Sequence, residues 1–122
     1  MQKLEKYRLT QQVRLFGWNC KVDAEKLNTL LKNVGLDGEI EDSAIIPVPN
    51  SDLVLVKNID IFTPILDEPE IMGEIAAANV TNDIYAMNVL EISGMLVFLG
   101  LKTNMPLEIA EGILQGIKQY IE

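Results

Sequence analysis

Gly73-Glu-Ile-Ala-Ala-Ala-Asn-Val-Thr-Asn-Asp-Ile-Tyr-Ala-Met87 reads as the body of a helix that Pro69 opens and that runs to about Asn88. At about 100° per residue, Met72, Ile75, Asn79, Asp83 and Ala86 fall along one stripe, while Glu70, Glu74, Thr81 and Asn88 point the opposite way. The charged side is the wet one on this reading, so an amide and a carboxylate lie one turn apart in an apolar seam. A carboxylate there is costly unless it is paired, hydrogen-bonded or bound to a metal.

The flanks of this helix set the fold class. Upstream, Asp23 caps a helix over Ala24–Asn33 whose apolar side is Leu27, Leu30, Leu31 and Val34, with Gly35 as its stop. Ala44-Ile-Ile-Pro-Val48 is a short strand, placed at an edge by Pro47, and Leu53-Val-Leu-Val-Lys-Asn-Ile-Asp60 is a second. Downstream, Val89 to Leu101 reads as a third strand with Gly94 as a bulge. Thr103-Asn-Met-Pro106 opens a last helix whose buried stripe is Leu107, Ala110, Leu114, Ile117 and Ile121. Residues 1–20 form an irregular N-terminal segment and residues 21–122 a single domain. The order predicts an α+β fold, a mostly antiparallel sheet with helices on one face. Strand residues are apolar on both sides (Leu53 to Val56; Met95 to Phe98), so the open sheet face needs a cover, from a second copy or a second domain.

Bulk properties narrow the chemistry. A formal charge of −8 and a pI near 4.5 argue against a nucleic-acid or anionic-membrane surface. A polyphosphate remains an admissible ligand, because Mg²⁺ and one or two lysines supply local positive charge. With no histidine and one cysteine, Cys20, the chain holds neither a histidine-based triad or zinc site nor an internal disulfide. The N-terminus lacks an apolar signal core, and the run Met95 to Leu99 is too short to span a bilayer, so the expected location is the cytoplasm.

Asp42 at the opening of a strand, Asp60 at the close of one and Asp83 beside Asn79 on a helix are carboxylates at element ends that can converge on one point. An all-oxygen set of this kind suits Mg²⁺, which keeps waters and borrows phosphate oxygens. The same residues also fit structural roles, with Asp42 in a turn, Asp60 ending a strand and Asp83 capping or pairing with Lys57 or Lys21. Cys20 reads first as a small buried hydrophobe and only second as a thiol whose following Lys21 lowers its pKa or contacts phosphate. Trp18, after Gly17, reads as a packing or interface residue.

Asp60-Ile-Phe-Thr-Pro-Ile-Leu-Asp-Glu-Pro69 together with Gly73 to Met87 closely resembles selenophosphate synthetase (selenide, water dikinase), in the aminoimidazole ribonucleotide synthetase-like superfamily. That family reads Asp-Phe-Phe-x-Pro-Ile-Val-Asp-x-Pro and then Gly-x-Ile-Ala-Ala-x-Asn-Ala-x-Ser-Asp-x-Tyr-Ala-Met-Gly. Leu9-Thr10, Cys20-Lys21 and Glu41-Asp42-Ser43-Ala44 fall where it has Leu-Thr, Cys-Lys and Asp-Asp-Ala-Ala. The resemblance covers the first of that family's two domains, from about residue 9 to the end. It implies ATP and Mg²⁺ as cofactors, Asp42 and Asp83 as metal ligands, Asp60 and Asn79 around the metal–phosphate site, and Lys21 near the ATP phosphates. It also implies a homodimer that closes two sheets into a barrel.

Departures accompany it. Trp18 stands where the family carries its reactive cysteine or selenocysteine, and Cys20 matches only the second cysteine of that motif. The glycine-rich segment before it is reduced to Gly17, and Asn82, Asn88 and Val89 replace a serine and two glycines. The resemblance therefore implies a Mg-ATP half-site contributing to ATP-dependent selenide phosphorylation with a separate chain, a full-length synthetase or the remainder of a longer protein supplying the second domain. The alternative is a catalytically inactive dimerisation or regulatory domain.

Overall fold

The structure, a computed structural model, describes residues 7–36 and 43–122. Two short 3₁₀ turns, Leu9–Gln12 and Trp18–Cys20, lead into α1 (Ala24–Asn33); β1 (Ala44–Pro47) and β2 (Val54–Lys57) follow, then α2 (Pro69–Ala86) and α3 (Leu107–Ile121). The α+β class is therefore as expected, but the sheet is smaller.

Local rules account for the ends of these elements. The Asp23 carboxylate accepts from the Lys26 N–H at 3.0 Å and caps α1, satisfying one of the amides that a helix start leaves open. Leu36 N–H returns to the Leu31 carbonyl at 2.9 Å, so α1 closes around Gly35 as its sequence predicts. Pro69 sits in the first turn of α2, where its missing N–H costs nothing. β1 and β2 pair antiparallel with Ala44 opposite Lys57 and Pro47 opposite Val54. Their turn is closed by Val48 N–H to Leu53 O at 3.0 Å.

Three expectations are corrected. First, residues 89–101 pair with no strand among the described residues. Their alternation persists, since Met95 and Leu99 pack against the core while Leu96 is fully exposed and Phe98 largely so. What is missing is a neighbouring edge, because β1 and β2 pair only with each other. Second, the helices do not cover the β1–β2 ribbon. Ile45, Ile46, Val54 and Leu55 remain exposed, and α2 packs instead on α3.

Third, the buried stripes of α2 and α3 are rotated from those predicted. In α2, Met72, Gly73, Ala77 and Thr81 are buried, although helical spacing puts Thr81 on the wet side. Its hydroxyl shares its proton between the Ala77 and Ala78 carbonyls at 2.9 and 3.0 Å, which lets a polar residue enter the interior without an orphaned group. In α3 the buried residues are Ala110, Ile113, Gly116 and Ile117, while Leu107, Leu114 and Ile121 stay out.

Small residues explain the rotation. The two helices meet backbone to backbone, so that a Cβ on Gly73 would overlap the Ile113 carbonyl and one on Gly116 the Glu70 carbonyl. Ala77, Ile113, Ile117 and Leu9, the latter 1% exposed, fill the space beside this crossing. Gly73→Ala or Gly116→Ala forces the two backbones apart, and overpacking of this kind costs about 3 kcal/mol. Urea denaturation of either variant is expected to show that loss; a wild-type midpoint would mean that the helices do not approach so closely.

Candidate functional site

The site lies where the N-terminal segment crosses the chain between β2 and α2. Leu9 is seated in the core, and the residues on either side of it are held by Asp67. One Asp67 oxygen accepts from the Thr10 N–H at 2.9 Å and the Thr10 hydroxyl at 2.7 Å; the other accepts from Arg8 Nε at 2.9 Å. These bonds favour the ionised carboxylate, the Thr10 N–H most, and hold it at about 2. Further along, Gly17 and Thr63 exchange backbone bonds at 3.1 and 3.3 Å. Gly17 adopts φ 55°, and a Cβ there would meet Ile65 at 2.7 Å, so only glycine fits both backbone and space.

This bridge delivers Trp18 and Lys21 to Asp60. The Trp18 ring stacks on Phe62 with centroids 5.0 Å apart and planes at 17°. Its indole Nε1 lies 3.4 Å from Asp60 Oδ2. The Lys21 ammonium pairs with Asp60 Oδ1, and the Asn79 amide donates to Oδ2. The Asp60 side chain is only 7% exposed, which strengthens its need for these donors. Trp18 is thus held in place by its stack, and the Cys20 thiol turns back to the Gly17 carbonyl at 3.2 Å.

Asp83, one turn beyond Asn79 on α2, is half-buried. Neither Lys21 nor Lys57 reaches it, and among the described residues it has no cationic partner. Its Oδ2 accepts instead from the Asn58 amide at 2.9 Å, whose other hydrogen goes to the Val80 carbonyl at 3.0 Å. The structure thus gathers Lys21, Asp60 and Asn79 directly and places Asp83 on the next turn. Asp42 lies outside the described residues. Among those described, no three acidic or thiol side chains are grouped to hold a metal. Sequence reading missed Trp18–Phe62, Asn58 and the Asp67 clamp, because each joins residues far apart in the chain and none leaves a periodic signal. No described helix is long and apolar enough to cross a membrane.

A family model for AIR synthase related protein, N-terminal domain, matches residues 40–122, and the chain belongs to that family. Within it, the chain is similar to proteins named selenide, water dikinase. That of Methanocaldococcus jannaschii is 36% identical over 124 residues, covering 95% of this chain and 36% of the relative. That of Methanococcus maripaludis is 38% identical over 115 residues, covering 88% and 34%, and that of Bdellovibrio bacteriovorus 36% over 125 residues, covering 95% and 36%. The chain spans about a third of the length of these curated relatives.

The Asp67 clamp predicts a pH dependence with a definite sign. Its carboxyl lies below its ordinary value of 3.8, so the stabilisation is complete above that value and is lost as pH falls through about 2. In urea melts, Asp67→Ala is expected to be less stable than wild type at about pH 5, with the gap closing toward pH 2. A gap independent of pH would contradict the clamp.

Proposed function

We propose that this chain is a selenide, water dikinase-like domain carrying half of a Mg-ATP site, working with a second domain from the same or another polypeptide. The observation that carries this reading is Asp83, a half-buried carboxylate without a cation among the described residues, one helical turn from the Lys21–Asp60–Asn79 cluster. It offers carboxylate oxygens, the hard donors Mg²⁺ selects, and Mg²⁺ commonly takes one or two protein carboxylates with phosphates and waters completing its shell. The residues therefore fit the ion. Asp83 would hold it together with Asp42, and Asp60 and Asn79 would flank the phosphates. When bound, Mg²⁺ neutralises charge on the transferring phosphoryl group.

The chain's own residues have separable tasks. Lys21 is the cation that can exchange Asp60 for a phosphate oxygen, and Asn79 keeps Asp60 oriented during that exchange. Phe62 and Trp18 wall one side of the cluster. The relatives' name, selenide, water dikinase, supports ATP-dependent phosphorylation of selenide as the reaction to which this domain contributes. Trp18 bears no thiol and cannot act as a nucleophile, so this domain alone is not self-sufficient. A cytoplasmic setting accords with the unpaired Cys20.

A second reading is favoured by the same Trp18. Its stack on Phe62 and approach to Asp60 fix the segment that would carry the nucleophile, as suits an inactive dimerisation or regulatory domain. Both readings include a dimer built through the exposed faces of β1–β2 and residues 89–101, which retain strand alternation and want an edge and a cover.

Calorimetry with Mg-ATP is expected to show binding that Asp83→Ala weakens at least about tenfold. Absence of binding by the chain, both alone and with a supplied second domain of a selenide, water dikinase, would leave only the regulatory reading. Sedimentation equilibrium is expected to give a dimer that Phe98→Lys dissociates, and a monomer for the wild type would remove the barrel.

A further inference from the structure

We propose that Ser43 is an oxygen ligand to the divalent cation at Asp83, an inference that rests on the Mg²⁺ half-site proposed above. Ser43 is 6% exposed, and its hydroxyl has no hydrogen-bond partner among the described residues. Buried hydroxyls are nearly always bonded, and one left alone costs stability. A serine that merely filled space would do so better as alanine. Alanine is what the resembling family pattern carries at this position, whereas this chain reads Glu41-Asp42-Ser43-Ala44.

The place of Ser43 in the fold gives its hydroxyl an occupation. Ala44 pairs with Lys57 at the end of the ribbon, and the next residues beyond that pair are Ser43 and Asn58. Residues directly opposed in an antiparallel pair share a face. Asn58 is the residue whose amide donates to Asp83 Oδ2 at 2.9 Å and to the Val80 carbonyl at 3.0 Å. A buried unpartnered oxygen and the amide that orients Asp83 are thus carried by the two residues next beyond the ladder. A hydroxyl is a neutral hard donor; beside a carboxylate it adds an oxygen to a Mg²⁺ or Mn²⁺ shell without adding charge. Bound to the ion, the hydroxyl would give it a lone pair and keep its one proton for a neighbouring oxygen acceptor.

Mn²⁺ binding to the full chain, followed by calorimetry and by metal-dependent melting, tests this beside Asp83→Ala. Ser43→Ala is expected to leave the metal-free melting temperature unchanged or higher, and to weaken Mn²⁺ about tenfold. Ser43→Cys replaces a hard oxygen with a soft sulfur, so it is expected to lose Mn²⁺ affinity and gain Cd²⁺ affinity over wild type, whose Cys20 is the background. Wild-type affinities in both Ser43 variants, with binding still lost in Asp83→Ala, would overturn the Ser43 assignment and leave the half-site standing. No Mn²⁺ binding by wild type would overturn both. Should Ser43→Ala fail to fold, the Cd²⁺ and Mn²⁺ affinities of Ser43→Cys decide alone.

Discussion

The backbone contact between α2 and α3 is the constraint from which the rest follows. Gly73 and Gly116 let each helix place its main chain against the other's carbonyls, closer than any side chain allows. Dispersion between the two backbones and burial of Ala77, Ile113 and Ile117 then fix α2 in one rotation. That rotation turns Thr81 inward and leaves Asn79 and Asp83 on the flank facing β2 and the N-terminal segment. The site is therefore aimed by a contact on the other side of the helix that carries it.

The two carboxylates of the cluster live in different electrostatic surroundings. Asp60 is nearly enclosed and meets an ammonium, an amide and an indole. Asp83 has one amide and no cation among the described residues. A divalent ion added at Asp83 meets unspent negative charge, whereas at Asp60 it competes with Lys21. This asymmetry separates a carboxylate open to an added cation from one already paired with a lysine.

Elements with strong local signals were legible in the sequence. The Asp23 cap, the Gly35 stop and Pro69 at the head of α2 are chemistry between near neighbours. The hairpin was legible too, and the juxtaposition of Asn79 and Asp83 needed only helical spacing. Facing was not. Hydrophobic periodicity weights large residues, yet α2 and α3 dock through their smallest ones, which leaves Leu107, Leu114 and Ile121 exposed. The segment 89–101 has a strand's alternation, but pairing depends on an edge that no local pattern reports. Asn58 and Asp67 carry no such signal, because a single polar residue in a loop says nothing of a partner twenty or more positions away.

The two anchors of the N-terminal segment also bound its travel. Leu9 and Thr10 are fastened at Asp67, and Gly17 is fastened at Thr63, so the chain before Lys21 has a fixed pivot. From Gly17 to Lys21 the backbone extends at most about 14 Å. The four residues beyond that pivot thus keep the Trp18 indole on Phe62 and the Lys21 ammonium on Asp60 at the same time. The fluorescence of the chain's single tryptophan therefore reports on the same short tether that carries the Lys21 ammonium.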